Sequence, residues 1–156
     1  MHARNVSGTD AKKTPAKVKG ASFWRLARGL SAKTEGQRME VIREGMDSVW
    51  LIAISQTFRL TRPALASITN LSESTLDRRL KARSHLDSVA SERLDRIAQV
   101  AVLAESVFED EQVAANWMAT SNDVLGGRTP LSLCDTELGA RQVRRVLHAI
   151  EWGGVA

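Results

Sequence analysis

The sequence predicts an all-α fold, and three observations lead to it. Helix-forming residues, above all Ala, Leu, Arg and Glu, dominate the 156-residue chain, which contains no tyrosine. No segment alternates apolar and polar residues with the β-branched enrichment that is typical of strands. Apolar residues instead recur at intervals of three and four, and a hydrophobic content of 43% is enough to bury a core. We therefore expect a folded helical protein with one domain or two small ones.

The residue inventory argues against several functional classes. The single cysteine, Cys134, cannot form an internal disulfide, and His2, His85 and His148 are too far apart in sequence for a zinc motif. The longest mainly apolar run, residues 49–54, is too short to cross a bilayer, and the basic N-terminal residues precede no apolar signal-peptide core. We expect a cytoplasmic protein without a metal, a cofactor or a membrane partner.

The net charge of +4 is concentrated at the N-terminal end of the chain. Residues 1–20 hold five basic side chains and one acidic side chain, whereas the other residues hold 17 of each kind. This basic tail is rich in Lys, Gly, Ser and Thr, a composition that predicts disorder. Two interpretations stay open: a solubilising leader, or an arm that adds phosphate contacts to a nearby DNA-binding unit.

The first three predicted helices lie before residue 60. FWRLARGL, residues 23–30, predicts a short helix that docks on the body of the protein. EGQRMEVIR, residues 35–43, places Met39, Val41 and Ile42 for one helical face, and Gly45 follows as a stop signal. SVWLIAISQTF, residues 48–58, is the most apolar helix of the chain. We expect that helix to be buried over most of its circumference.

The segment LTRPALASITNLSESTLDRRLKAR, residues 60–83, predicts a helix-turn-helix. Pro63 suits the first turn of a short helix, and Thr61 can cap it. After a tight turn, Ser72 can cap a second helix that is rich in Ser, Thr and Arg. Two short helices joined in this way are typical of DNA-binding domains.

The outer face of the second helix is the predicted DNA-reading surface. With Leu76 and Leu80 inward, the helical period turns a group of polar and basic side chains toward solvent, whereas Arg83 falls on the inner side. Arginine can bond guanine, and Ser or Thr at a helix start can hold phosphates. An ordinary solvated face is the alternative, although residues 59–83 carry six basic and two acidic side chains. The candidate DNA-binding residues are Arg62, Ser72, Ser74, Thr75, Arg78, Arg79 and Lys81.

Two helices are predicted between residues 89 and 119. VASERLDRIAQVAVLAESVF, residues 89–108, carries an apolar stripe wide enough to serve the core and a dimer contact as well. The acidic residues 109–111 point in different directions and are interpreted as solvated caps. QVAANWMA, residues 112–119, places Val113 and Trp117 four apart, which is typical of a core contact.

Residues 120–139, TSNDVLGGRTPLSLCDTELG, interrupt the helical period and predict a structured loop. Gly126 and Gly127 allow backbone conformations that other residues avoid, and Pro130 fixes a turn or extended geometry before it. No strand precedes the glycines and the lysine of a phosphate-binding loop is missing, so nucleotide binding is not expected. Cys134 has no base positioned by sequence to activate it, and a buried thiol is the expected state.

The last helix, ELGARQVRRVLHAIEW, has two faces of different character. Thr136 is its predicted N-cap, and an inner face is formed by Val143, Val146, Leu147 and Ile150. Two interpretations of the outer face stay open: a partner-binding surface, because Trp and Arg are favoured at interface hot spots, or a Trp152 that folds back over the core. The outer face carries Arg141, Arg145, His148 and Trp152.

The residues after this helix are small, and none has a side chain bulkier than valine. A narrow apolar end of this kind could enter a cleft of another protein. It consists of Gly153, Gly154, Val155 and Ala156.

Three segments together carry a resemblance to a known family. SESTLDRRL, SERLDRIAQVAVLAESVFEDEQVAANWM and NDVLGGRTPLSLCDTELGARQVRRVLHAIEWG resemble the successive signatures of Xre-type antitoxins of RES-Xre toxin-antitoxin modules, which include the Xre/MbcA/ParS toxin-binding domain. The likeness covers about residues 36–156 and is strongest in the second half. It implies a phage-repressor-like helix-turn-helix domain followed by a small helical toxin-binding domain.

The resemblance also implies roles for particular residues. In the family the N-terminal half binds the promoter of its own operon and the C-terminal half binds a RES toxin that degrades NAD, while the antitoxin is not an enzyme. By position, Ser74, Thr75, Arg78 and Arg79 match the DNA-reading segment, and the last helix with its tail matches the part at the entrance of the toxin's active site. The family often has a bulkier residue where this chain has Gly154.

The leading hypothesis is therefore an antitoxin that also represses its operon, with a basic tail at 1–20, a DNA-binding domain at 21–86 and a toxin-binding domain at 87–156. The expected partners are a RES toxin from the same operon, promoter DNA and a second copy of the chain, because helix-turn-helix repressors usually bind two half-sites. The runner-up is a stand-alone transcriptional repressor whose second half only dimerises. An enzyme working through Cys134 or the acidic cluster would lack an organised base or metal set.

Overall fold

The computed structural model describes residues 22–153, and everything regular in that range is helical apart from two isolated bridges. The predicted all-α class is confirmed. The predictions for the basic tail at 1–20 and for Gly154, Val155 and Ala156 lie outside the described residues. The elements in chain order are α1 Phe23–Ser31, α2 Glu35–Glu44, α3 Val49–Phe58, α4 Arg62–Thr69, α5 Glu73–Ala82, α6 Ser88–Phe108, α7 Glu111–Ala119, a short 3-10 helix Asp123–Leu125, α8 Pro130–Leu133 and α9 Glu137–Glu151.

Helix α6 is the central element of the fold. It packs against α1, α2 and α4 from the first half of the chain and against α7 and α9 from the second. Eight of its side chains are at most 1% exposed, and half of these are alanines that let neighbouring helices approach closely: Ala90, Ser91, Leu94, Ile97, Ala98, Val100, Ala101 and Ala104. The apolar stripe is thus used inside the chain. That it also supplies a dimer contact stays a prediction.

Helix α1 docks on the body, as its sequence predicts. Phe23 lies with its ring centroid 5.1 Å from that of Phe58 and 6.2 Å from that of Trp50, in edge-to-face arrangements. At the other end, Arg28 reaches Glu105 of α6 at 2.5 Å and Glu111 of α7 at 2.9 Å. The apolar α3 provides much of this core, although Ile52 remains 41% exposed.

Helix α2 is attached to the body by an ion pair and by the partly buried Val41, rather than by the whole apolar face that the sequence predicts. None of its side chains is buried, and Met39 is 50% exposed. Arg38 instead forms a two-pronged pair with Asp95 of α6, with Nε to Oδ1 at 2.9 Å and Nη2 to Oδ2 at 2.7 Å. The predicted stop at Gly45 is confirmed: its φ is +90°, and a Cβ there would lie 2.2 Å from the carbonyl oxygen of Leu86.

Helix α7 also differs from its sequence-based prediction. Val113 is 47% exposed, and the side chains that α7 buries are Ala114, Ala115 and Met118. Trp117 is half-buried, with its ring 5.6 Å from that of Phe108. The predicted core contact is therefore made by Trp117 together with Ala114, Ala115 and Met118, whereas the side chain of Val113 is about half exposed.

Among the helices of residues 22–153, none combines the length and the apolar character that crossing a bilayer requires.

We predict that Arg38→Ala lowers the free energy of unfolding by about 2 kcal/mol, because the Asp95 carboxylate would stay nearly buried without its counter-charge. The carboxylate of Asp95 is only 9% exposed. Urea unfolding followed by circular dichroism measures the change. Arg43→Ala is the matched control, since Arg43 pairs with Glu40 at a site where both side chains are more than 60% exposed; it should cost no more than about 0.5 kcal/mol. Equal losses from the two variants would contradict this account of α2.

Candidate DNA-binding and partner-binding surfaces

The two helices of the predicted helix-turn-helix are fixed by local caps. The Thr61 hydroxyl accepts a hydrogen bond from the Ala64 amide at 3.3 Å, and the Ser72 hydroxyl accepts one from the Thr75 amide at 3.1 Å. Between them, Asn70 ends α4 with a φ of +58°. Both predicted caps are thus present, and the turn between α4 and α5 spans the few residues that the sequence predicts.

The outer face of α5 exposes three of the predicted DNA-binding side chains together. Ser74, Arg78 and Lys81 line one shallow surface depression, and Leu76 on the opposite side is fully buried. Asp77 lies in the same depression. The outward face is therefore largely basic, with one carboxylate inside it.

Arg62, at the start of α4, joins this surface through an ion pair. Its Nη1 lies 2.7 Å from Oδ1 of Asp77 on α5, and about half of each side chain is exposed. The pair thus bridges the two helices at their solvent side. The sequence places Arg62 among the DNA-binding candidates but does not indicate this partner.

Two of the remaining DNA-binding candidates are less accessible, whereas Ser72 is exposed. Thr75 and Arg79 are half-buried. Arg79 turns toward the end of its own helix, where Nη1 donates to the Ser84 hydroxyl at 3.4 Å while its Nε is enclosed. The Ser72 hydroxyl is engaged with Thr75 as well as capping α5. Arg83, predicted on the inner side, is exposed and adopts a left-handed conformation that ends α5.

The loop between α7 and α9 is structured, as predicted, and it positions the last helix. Asn122 and Arg128 pair across it, and Gly126 and Gly127 adopt φ values of +68° and +78°. Cys134 follows α8 and is fully buried, and burial raises the pKa of its thiol to about 12. A thiol in this state is protonated near neutral pH and is not a nucleophile.

Helix α9 is anchored at its N-terminus by a cap, a close contact and a charge cluster. The Thr136 hydroxyl accepts from the Gly139 amide at 3.0 Å, and a Cβ on Gly139 would lie 1.9 Å from the Leu133 carbonyl oxygen. Arg96 of α6 donates to the Cys134 carbonyl at 3.0 Å, and its Nε lies 3.6 Å from the Glu137 carboxylate.

A second arginine completes this anchor from within α9. The Arg144 guanidinium donates to Glu137 at 2.7 Å, and this hydrogen bond holds the pKa of the Glu137 carboxyl below its usual range. The start of α9 is therefore held by α6, by α8 and by its own third turn.

The outer face of α9 carries the four predicted partner-binding side chains of the helix. Arg141, Arg145 and His148 are exposed, and Trp152 is 83% exposed. Trp152 therefore does not fold back over the core, and that the face binds a partner stays a prediction. Gly153 follows with a φ of +75° and is exposed. The inner face is as predicted, with Val143, Val146 and Leu147 buried and Ile150 packed against the core.

Sequence reasoning missed two exposed apolar side chains near this helix. Leu138 in the first turn of α9 is 70% exposed, and Val124 in the 3-10 helix is 59% exposed. Leu138 precedes Arg145 by seven residues, so the two lie nearly in line along α9. The helical period of α9 could have indicated that Leu138 is exposed. Val124 lies in irregular structure, where no period indicates its orientation.

In the part of the chain that the structure describes, no three His, Cys, Asp or Glu side chains are grouped as metal ligands. The exposed helix faces on α5 and α9 are therefore the strongest candidate functional sites.

Comparisons with known proteins match these two surfaces to two kinds of domain. A model for the antitoxin Xre-like helix-turn-helix domain matches residues 37–99, and a model for the antitoxin Xre/MbcA/ParS C-terminal toxin-binding domain matches residues 103–153. A protein named antitoxin Xre from Pseudomonas putida is 30% identical over 112 residues, which are 72% of this chain and 69% of that protein.

Two further relatives are similar over more of their length. The antitoxin Xre of Yersinia enterocolitica is 29% identical and matches 90% of this chain and 94% of its own. The antitoxin Xre of Photorhabdus laumondii is 27% identical, and the match covers 92% of this chain and 97% of that protein. The likeness thus extends across both surfaces.

Proposed function

The chain belongs to the Xre antitoxin family, and from that premise we propose that it neutralises a RES-family, NAD-degrading toxin encoded in the same operon and represses that operon by binding its promoter. In this proposal α9 and the residues after it cover the active site of the toxin. The α5 face reads the promoter. The chain acts by binding, as an antitoxin and not as an enzyme.

The exposure of Trp152 is the observation that carries the toxin-binding part. A tryptophan that is 83% exposed leaves a large apolar surface in water, beside the basic side chains of Arg145 and His148. Tryptophan and arginine are the residues most enriched at the centres of protein interfaces. The outer face of α9 therefore has the chemistry of a contact surface.

The anchored start of α9 supports the same proposal. Arg96, Glu137 and Arg144 hold the helix in place before any partner binds. A rigid helix loses little conformational entropy on binding, so more of the contact energy becomes affinity. The small residues Gly153, Gly154, Val155 and Ala156 are narrow enough to enter a pocket shaped for a dinucleotide.

The DNA-binding part rests on the α5 face. Arg78 and Lys81 are exposed on one side of the second helix of a helix-turn-helix, where such domains meet the major groove. Two copies of the chain would place two such helices on two half-sites, which is the reason we propose a homodimer on DNA.

We predict that Trp152→Ala weakens inhibition of the toxin at least tenfold, because an exposed aromatic anchor of this kind typically contributes about 2 kcal/mol or more to binding. Inhibition is measured as the concentration of the chain that halves NAD breakdown by the purified toxin. The melting temperature should not change, since Trp152 makes little contact with the core. Met39→Ala, on the exposed side of α2, is the control and should inhibit like wild type. Undiminished inhibition by Trp152→Ala would remove α9 from the interface.

We predict that a chain lacking residues 153–156 still forms a complex with the toxin but leaves part of its NAD breakdown active. The contacts of α9 would remain, whereas the pocket would be open. Size-exclusion chromatography measures the complex, and the NAD assay at saturating antitoxin measures the residual activity. Complete silencing by the shortened chain would show that the body of the domain blocks access and that the tail is not needed.

We predict that the double variant Arg78→Ala, Lys81→Ala weakens binding to the promoter and flattens its salt dependence. Loss of two phosphate contacts should reduce the slope of log K against log salt by about 2. Fluorescence anisotropy with a labelled duplex from upstream of the operon measures both quantities. The double variant Lys33→Ala, Arg43→Ala removes the same charge from exposed positions outside α5 and is the control. If both pairs change the slope equally, α5 has no special role.

A further inference from the structure

An acidic side chain lies within the surface that we propose for DNA. Asp77 shares its depression with Ser74, Arg78 and Lys81. A carboxylate at such a position repels the phosphates of any duplex, within a Debye length of about 8 Å at physiological salt. If this surface binds DNA, Asp77 must have a role that offsets this repulsion.

The stability of the fold does not supply that role. Asp77 pairs with Arg62 at 2.7 Å, and the side chains are 52% and 53% exposed. Ion pairs between side chains this exposed contribute between about 0 and 1 kcal/mol. Caps at Thr61 and Ser72 already fix the two helices, and Leu65 and Leu76 bury their inner faces.

The geometry points to a role in placing Arg62. Arg62 is the first residue of α4, and in helix-turn-helix complexes the first helix crosses the DNA backbone. The contact with Asp77 uses Nη1, so the other nitrogens of the guanidinium can point to the duplex. An arginine side chain has many rotamers, and a contact on one side of its guanidinium restricts the directions in which it can donate hydrogen bonds.

We propose that Asp77 is a positioning residue that makes promoter recognition selective by holding Arg62. The inference rests on the proposed DNA binding. A fixed Arg62 donates well only to a duplex whose groups lie in the matching position, whereas the carboxylate weakens attraction to every sequence. Asp77 thus raises the ratio of specific to non-specific binding through both effects.

The test compares two duplexes, one from upstream of the operon and one with the same base composition in scrambled order, each at several salt concentrations. Asp77→Asn should weaken binding to the promoter duplex about tenfold, which is the typical effect of losing one well-placed contact. Binding to the scrambled duplex should become tighter, because the substitution removes a negative charge that repels any duplex. In an Arg62→Ala background, Asp77→Asn should cause no further loss of promoter preference.

Two variants separate this role from simple charge removal. Glu73→Gln removes one negative charge from the exposed first turn of the same helix and should strengthen binding to both duplexes by the same factor. Asp77→Glu keeps a carboxylate within reach of Arg62 and should retain most of the preference. If Asp77→Asn instead strengthens binding to both duplexes equally, as is expected for Glu73→Gln, the positioning role is overturned. A wild-type chain without preference for the promoter would overturn the proposed repressor function itself.

Discussion

Helix α6 must bury apolar side chains toward both halves of the chain, and this requirement determines where the other helices lie. Ala98 and Val100 are both fully buried although the helical period turns them to nearly opposite sides of the helix. The matched helix-turn-helix domain ends at residue 99 and the matched toxin-binding domain begins at residue 103, both within α6. The two functional parts therefore share one element and one continuous core.

Two arginines of α6, three residues apart, hold the two surfaces from the same helix. Arg93 donates to the carbonyls of Ser67 and Ile68 near the end of α4, at 3.4 Å each. Arg96 reaches the Cys134 carbonyl and the Glu137 carboxylate at the start of α9. Neighbouring turns of one helix thus position both α4, the first helix of the helix-turn-helix, and α9, the helix that we propose for toxin binding.

Sequence reasoning predicted what depends on neighbouring residues. The caps at Thr61, Ser72 and Thr136 and the two faces of α9 follow from spacing along one helix, and the structure has them. What it missed depends on partners far along the chain. The Arg38 to Asp95 pair spans 57 residues and holds a helix whose apolar residues are not buried.

The same limit applies to the candidate site. Arg62 could be selected by its charge, but its partner Asp77 lies on another helix and is visible only in the folded chain. The direction of Trp152 was undecided because helical spacing fits both an exposed side chain and one that folds back at a helix end. Burial of Val113 was predicted from a four-residue spacing, whereas smaller residues fill that contact in the structure.

Charge balance gives the DNA-binding surface its particular character. Outside residues 1–20 the chain has as many acidic as basic side chains, so the body exerts little long-range attraction on a polyanion. The proposed promoter binding by the body would then come from a few side chains in fixed positions on α4 and α5. Under that condition an acidic residue such as Asp77 costs little of the total attraction, while the order it imposes on Arg62 acts at the short range where sequences differ. A nearly neutral body and a carboxylate in the surface proposed for DNA thus favour discrimination between DNA sequences over high affinity for any DNA.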